Sequence, residues 1–155
     1  KYQEDSYIKY FTSKDWVTFS LNLLGDCGEI GKFQYAPLIG PDILSGILVN
    51  TTGRSVFDFA TEYLFTPLGI EVKDKITFSS EEEQVAFLKA KDINGWVIDS
   101  CGINAAGWGL TLSTRAMAKI GQLYLNQGRW NKQQIVSKQW VIDSIKKQVI
   151  MMNLI

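Results

Sequence analysis

The run Gly102-Ile103-Asn104-Ala105-Ala106-Gly107-Trp108-Gly109-Leu110 passes directly into a helical pattern that begins at Ser113 or Thr114, continues to Asn126 and stops at Gly128. A small-residue loop, a capped helix and a glycine stop in this order leave little freedom. The loop must turn tightly or pack closely, and the helix has both ends defined by local chemistry. Met117, Ile120, Leu123 and Tyr124 recur at helical spacing and are expected to face inward.

Around this unit the chain reads as mainly helical. Ser13 is a plausible N-cap for a helix over 13–24, with Trp16, Val17, Phe19, Ser20, Leu21, Leu23 and Leu24 forming its apolar face and Gly25 its stop. Pro41 suits a first helical turn. The helix it opens, over 41–52, is expected to bury Ile43, Leu44, Ile47 and Leu48 and to end at Gly53. Ser55 with Asp58 forms an acidic capping box for a helix over 55–65, expected to stop before Pro67. Lys75-Ile76-Thr77-Phe78 reads as a short strand, and the acidic run after Ser80 as the start of a helical turn. A last helix over 138–147 follows Ser137, with Trp140, Val141 and Ile145 inward. At most a short hairpin is expected beside these helices.

A chain of 155 residues with 46% hydrophobic residues suffices for one packed domain, and no linker divides it, so 1–155 reads as a single domain. Sixteen basic residues balance sixteen acidic ones without a basic block, which gives nucleic acid and anionic membranes no electrostatic handle. No apolar stretch reaches the roughly 20 residues of a membrane span, and the chain reads as soluble. The start lacks signal-peptide anatomy and resembles the middle of a longer protein, so the compartment stays open, export and the cell envelope included. The apolar tail over 149–155 reads as a cut through a larger fold or as a contact surface.

There is no histidine, which removes Ser-His-Asp and Cys-His catalysis and nearly all zinc patterns. Neither a metal nor a cofactor is expected. Cys27 and Cys101 fit two reduced, partly buried thiols better than a disulfide.

Several stretches in order resemble the penicillin-recognising serine hydrolases, on their class C β-lactamase and D,D-peptidase branch. They are Tyr10 to Val17, Lys32-Phe33-Gln34-Tyr35, Asp42 to Leu48 with Thr52-Gly53, Phe59-Ala60, Tyr63 to Ile70, the glycine loop with its helix, and Arg129-Trp130 through Trp140. The resemblance covers about Ser6 to Lys146 and implies the mainly helical subdomain of the β-lactamase/transpeptidase-like α+β fold, without the antiparallel sheet. It also implies acyl transfer in a longer, bacterial protein. There a serine of a Ser-x-x-Lys motif attacks an amide, ester or β-lactam carbonyl, with a small molecule or peptide as substrate.

Within that family Tyr35 stands at the Tyr-x-Asn tyrosine and is the candidate general base. Gly107, Trp108 and Gly109 are candidate binding residues, offering close backbone approach and an apolar wall. The same small residues would equally let the loop pack tightly, and this structural reading is the favoured one. Asp99 and Arg115 read as loop or helix-end charges. Pro37 replaces the motif's Asn, and the Pro-Gly expected before Phe33 is missing. These departures favour a second reading, a non-catalytic binding or interaction module.

Literal matches elsewhere fail on context. Ser6-Tyr7-Ile8-Lys9 and Ser144-Ile145-Lys146-Lys147 match Ser-x-x-Lys at the frequency expected by chance from eleven serines and thirteen lysines. Tyr124-Leu125-Asn126 and Lys119-Ile120-Gly121 lie inside an expected helix. The 155-residue chain therefore lacks the nucleophile and is expected to be inactive alone and to self-associate through exposed core surface.

Overall fold

The computed structural model describes residues 9–23 and 39–146. Helix accounts for 55% and strand for 11%. This mainly helical composition is compatible with the helical subdomain of a β-lactamase-like fold. The order is α1 (Trp16–Asn22), α2 (Ile39–Thr52), α3 (Val56–Ala60), a π-helical turn (Thr61–Phe65), α4 (Thr66–Leu68), β1 (Asp74–Ile76), α5 (Glu81–Lys89), β2 (Gly95–Val97), β3 (Leu110–Thr111), α6 (Thr114–Leu125), β4 (Arg129–Trp130), β5 (Gln133–Gln134) and α7 (Lys138–Ile145). Residues 9–12 form a further helical turn before α1.

Local chemistry sets most of the ends. Ser55, Ser80, Ser113 and Ser137 each accept a hydrogen bond from the amide three residues on, at Asp58, Glu83, Ala116 and Trp140. The α1 cap departs from expectation. Asp15, rather than Ser13, accepts from the Thr18 amide at 2.8 Å, and the Thr18 hydrogen bonds hold its carboxyl below the ordinary value. Ser13 is occupied instead with the Asp15 backbone.

The helix over 55–65 also differs. It does not stop before Pro67 but continues through the π-helical turn into α4 and ends at Gly69, which is left-handed at φ 59°. Proline has no amide hydrogen and its ring would strike the carbonyl four residues back. Widening the preceding turn, with the Thr66 amide donating to Thr61, accommodates it.

Three short strands form a sheet in the order β1-β2-β3, with β1 and β2 parallel and β2 and β3 antiparallel. This exceeds the hairpin expected; β4 and β5 supply a separate hairpin. The parallel pair needs a crossover, which α5 provides. Side chains alternate across a strand, so Trp96 and Val97 of β2 point to opposite faces. Trp96, 8% exposed, packs with Phe65, Leu68, Ile70, Ala116 and Leu123. Val97, 0% exposed, packs with Tyr10, Trp16 and Ala105.

Three helices turn differently from their sequence patterns. In α2 the buried residues are Ile39, Asp42 and Ser45, whereas Leu44 is 65% exposed and Ile47 is exposed too. The helix is rotated to bring Asp42 inward and to lay Gly46 against Val17 of α1. In α6 Ala116 and Leu123 are buried and Ile120 is partly buried, with Met117 and Tyr124 exposed. In α7 only Val141 is buried, while Trp140 and Ile145 are exposed. The tail over 149–155 lies outside the described residues.

Gly128 closes the stretch after α6 at φ 81°, and a Cβ there would lie 2.0 Å from the Val136 carbonyl oxygen. Gly102, at φ 80°, has open space around it. Gly102→Ala should therefore cost only the left-handed backbone penalty, about 1–2 kcal/mol. Gly128→Ala should cost clearly more, or prevent folding, because backbone must also move. Urea unfolding of the two variants against the parent chain checks the ordering.

Candidate functional site

The glycine loop is the connection between β2 and β3, and two buried carboxylates hold it. Asp99 works within the loop. Its Oδ1 accepts from the amides of Cys101 at 2.9 Å and Ile103 at 2.8 Å, and its Oδ2 accepts from Trp16 at 3.2 Å, at the start of α1. Residue 99 is thus a loop anchor, as its sequence context suggests.

Asp42 works across the fold. It is 1% exposed and sits in the first turn of α2. Its Oδ1 accepts from the Ala106 amide at 2.9 Å, the Gly107 amide also bonds to it, and its Oδ2 accepts from the Tyr10 hydroxyl. Tyr10 in turn accepts from the Trp108 indole N–H at 3.1 Å. One carboxylate therefore organises α2, the turn before α1, the loop backbone and, through the phenol, Trp108.

Burial dominates the electrostatics of the pair. It pushes the Asp42 carboxyl above its ordinary value, against the opposing hydrogen bonds from Tyr10, Ala106 and Gly107. Burial likewise pushes the Tyr10 phenol up, and the Asp42 hydrogen bond and charge add to it. Both effects favour the protonated phenol, which donates to Asp42.

Of the candidate binding residues, Gly107 is exposed. Trp108 is half-buried and packs edge-on to Phe11 at 5.2 Å, tilted to Trp16 at 5.5 Å and stacked on Phe78 at 6.2 Å between centroids. Gly109 is left-handed at φ 78°, and a Cβ on it would lie 2.7 Å from the Val97 Cβ. The loop thus meets a close-packing requirement at Gly109, while Gly102, Ala106 and Gly107 are exposed. Tyr35, Pro37 and Cys27 lie outside the described residues. Cys101 is exposed rather than partly buried, and desolvation together with Asp99 and Asp15 raises its thiol.

Of the literal motif matches, those at Lys119 and Tyr124 fall on α6 and Ser144 on α7, whereas Ser6 lies outside the described residues. Ser144 is in α7 and its hydroxyl donates to the Val141 carbonyl at 3.0 Å. Lys119 in α6 donates to the Gly69 carbonyl at 2.5 Å. Arg115 is exposed in the first turn of α6. Among the described residues no group of three or more Cys, Asp or Glu side chains is arranged to hold a metal ion. No helix there is long and apolar enough to cross a membrane.

No protein-family model matches the chain. Over 127 residues it is 26% identical to a 6-aminohexanoate-dimer hydrolase of Paenarthrobacter ureafaciens, a stretch that is 82% of this chain and 27% of that protein. The similarity is to a hydrolase, and it is distant and partial. The chain spans well under two thirds of that relative's length.

Sequence reasoning missed the Tyr10–Asp42 network. An aspartate in a first helical turn is ordinary, and nothing local marks partners 32 and 64 residues away. The only available signal is that Asp42 falls beside the small residues Ser45 and Gly46, a surface suited to close approach.

Asp42→Ala would leave the Tyr10 hydroxyl and two amides without their acceptor and should cost about 3 kcal/mol or more. Asp42→Asn keeps an acceptor for the loop and should cost less. The folded value of Asp42 lies above the unfolded one. Its stabilising contribution is therefore complete below about pH 3.9 and is lost as pH rises through the folded value. The deficit of Asp42→Asn relative to the parent should accordingly shrink as pH rises above about 4, as read by urea unfolding over a pH series.

Proposed function

We propose that the chain is one partial domain of a β-lactamase-like serine hydrolase, acting in a longer protein by acyl transfer to amide, ester or β-lactam carbonyls. The observation that carries the reading is the similarity to a hydrolase along 82% of the chain, beside the ordered motifs of the sequence. The loop geometry supports it, because Asp42 and Tyr10 hold exposed Gly107 and half-buried Trp108 in a fixed place. In this reading Tyr35 is the general base and Gly107, Trp108 and Gly109 line the substrate site. A phenol, with an ordinary pKa of about 10, needs a neighbouring cation to act as a base, and the motif lysine would supply it.

A second reading, a non-catalytic β-lactamase-like binding or interaction module, is favoured by Pro37 in place of the motif's Asn. The two differ at the serine of the Ser-x-x-Lys motif in the longer protein.

Alone, the chain has no nucleophile in place. Acylation needs a serine within about 3 Å of its base and facing an oxyanion hole, and one lost donor there costs about 10²–10³ in rate. A fluorescent penicillin followed by intact-mass spectrometry should therefore give no adduct with the 155-residue chain and one acylated serine in the longer protein. Failure to acylate the longer protein would favour the module. An adduct on Ser6 or Ser144 would overturn the assignment of those matches to chance.

Exposed Leu44 and Ile47 on α2, with Trp140 and Ile145 on α7, support self-association of the isolated chain. Sedimentation velocity should show a dimer or larger species, shifted toward monomer by Leu44→Glu. A clean monomer at high concentration would refute it.

A further inference from the structure

A cavity of about 490 Å³ opens between three stretches of chain, 11–16 before and into α1, 77–84 before and into α5, and 98–100 after β2. That volume lies within the roughly 300–1,000 Å³ of small-molecule sites. The sheet and Trp108 hold its walls. The Ile98 amide donates to the Ile76 carbonyl at 2.9 Å, which carries the β1–β2 pairing to the cavity edge. Phe11 packs edge-on to Trp108 and Phe78 stacks on it, at 5.2 and 6.2 Å between centroids, and both rings also line the cavity. The Gln84 side-chain amide donates to the Phe11 carbonyl at 3.3 Å and ties α5 to the first stretch.

Three charged side chains line it, and each is answered without a ligand. Asp99, 4% exposed, accepts from the backbone amides of Cys101, Ile103 and Trp16. Glu81 is the first residue of α5, where the N-terminal end of a helix favours negative charge. Lys14 is exposed to water. The cavity therefore makes no demand for a ligand of either sign.

The groups with open bonding capacity are hydroxyls. Thr77 and Ser79 on the second stretch and Ser100 on the third are exposed, and among the described residues none of these hydroxyls bonds within the protein. A hydroxyl both donates and accepts, so it is best met by groups that do the same. A ligand carrying several hydroxyls pairs with all three, while an apolar C–H face lies on Phe11 and Phe78. An apolar ligand leaves the hydroxyls without partners, and a charged one finds no counter-charge to spare.

We propose that this cavity binds a neutral sugar, its ring face against Phe11 and Phe78 and its hydroxyls toward Thr77, Ser79 and Ser100. The inference is independent of the acyl-transfer reading, since it uses neither Tyr35 nor a nucleophile.

Hydrogen bonds between neutral groups exchange for those with water, so affinity is modest, with a dissociation constant on the order of 1 mM. The test is a titration of the 155-residue chain with cellobiose, and separately with indole as an apolar ring without hydroxyls, followed by amide NMR shifts. Saturable shifts at residues 11–16, 77–84 and 98–100 are expected with cellobiose. Its affinity should be the same in about 0.05 and about 0.5 M NaCl, because no ion pair forms. Thr77→Val and Ser100→Ala, both exposed positions, should each weaken cellobiose binding about threefold, and Phe78→Leu should weaken it further. The NMR spectra of each variant report whether the fold is kept. Indole binding as tightly as cellobiose, an affinity that falls with salt, shifts elsewhere, or no saturation up to about 20 mM would overturn the proposal.

Discussion

The carboxylate of Asp42 is the interaction on which the described structure turns. A buried charge survives only when donors surround it, because leaving it unpaired is far costlier than losing an ordinary contact. Here the donors come from distant parts of the chain: the Tyr10 hydroxyl and the Ala106 and Gly107 amides. Satisfying one group thus fixes the rotation of α2 about its own axis and the path of the β2–β3 loop together. That rotation explains why Leu44 and Ile47, apolar by nature, are left facing outward.

The second organising element is β2. Only three residues long, it is the middle strand and has all three residues buried. Its alternation sends Trp96 into the core made by the π-helical turn, α4 and α6, and Val97 into the aromatic group around Tyr10 and Trp16. Two small cores therefore share one strand as their wall. The Trp96 indole donates to the Ala105 carbonyl at 2.6 Å, which brings the loop into the same arrangement. Loop, strand and aromatic group form one packed assembly, with Trp108 at its outer side.

Features governed by neighbours in sequence were the legible ones. The serine caps at 55, 80, 113 and 137 and the glycine stop after α6 follow from groups a few residues apart. Helix rotation was not legible, because periodicity reports which residues are apolar and not which face a distant charge will claim. Pro67 misled for a related reason. The local rule that ends a helix before proline holds only while the turn stays α-helical, and the π-helical turn removes that condition. In the candidate site, the loop and its small residues could be read directly, whereas Tyr10 and Asp42 could not, since neither sits in a pattern of its own. Gly109 was read for its smallness, and its neighbour Val97 shows what that smallness accommodates.

The distances along the chain between Asp42 and its partners also bear on how the fold is reached. The turn at 9–12 and α2 have local hydrogen bonds and can form early, but the Asp42 carboxylate must stay hydrated until residues 106 and 107 arrive, 64 and 65 positions later. Closing a loop of that length is paid in chain entropy before any contact returns it. Dehydration of this one side chain is therefore a late event, and the elements around it remain an open, wet assembly until the β2–β3 connection docks.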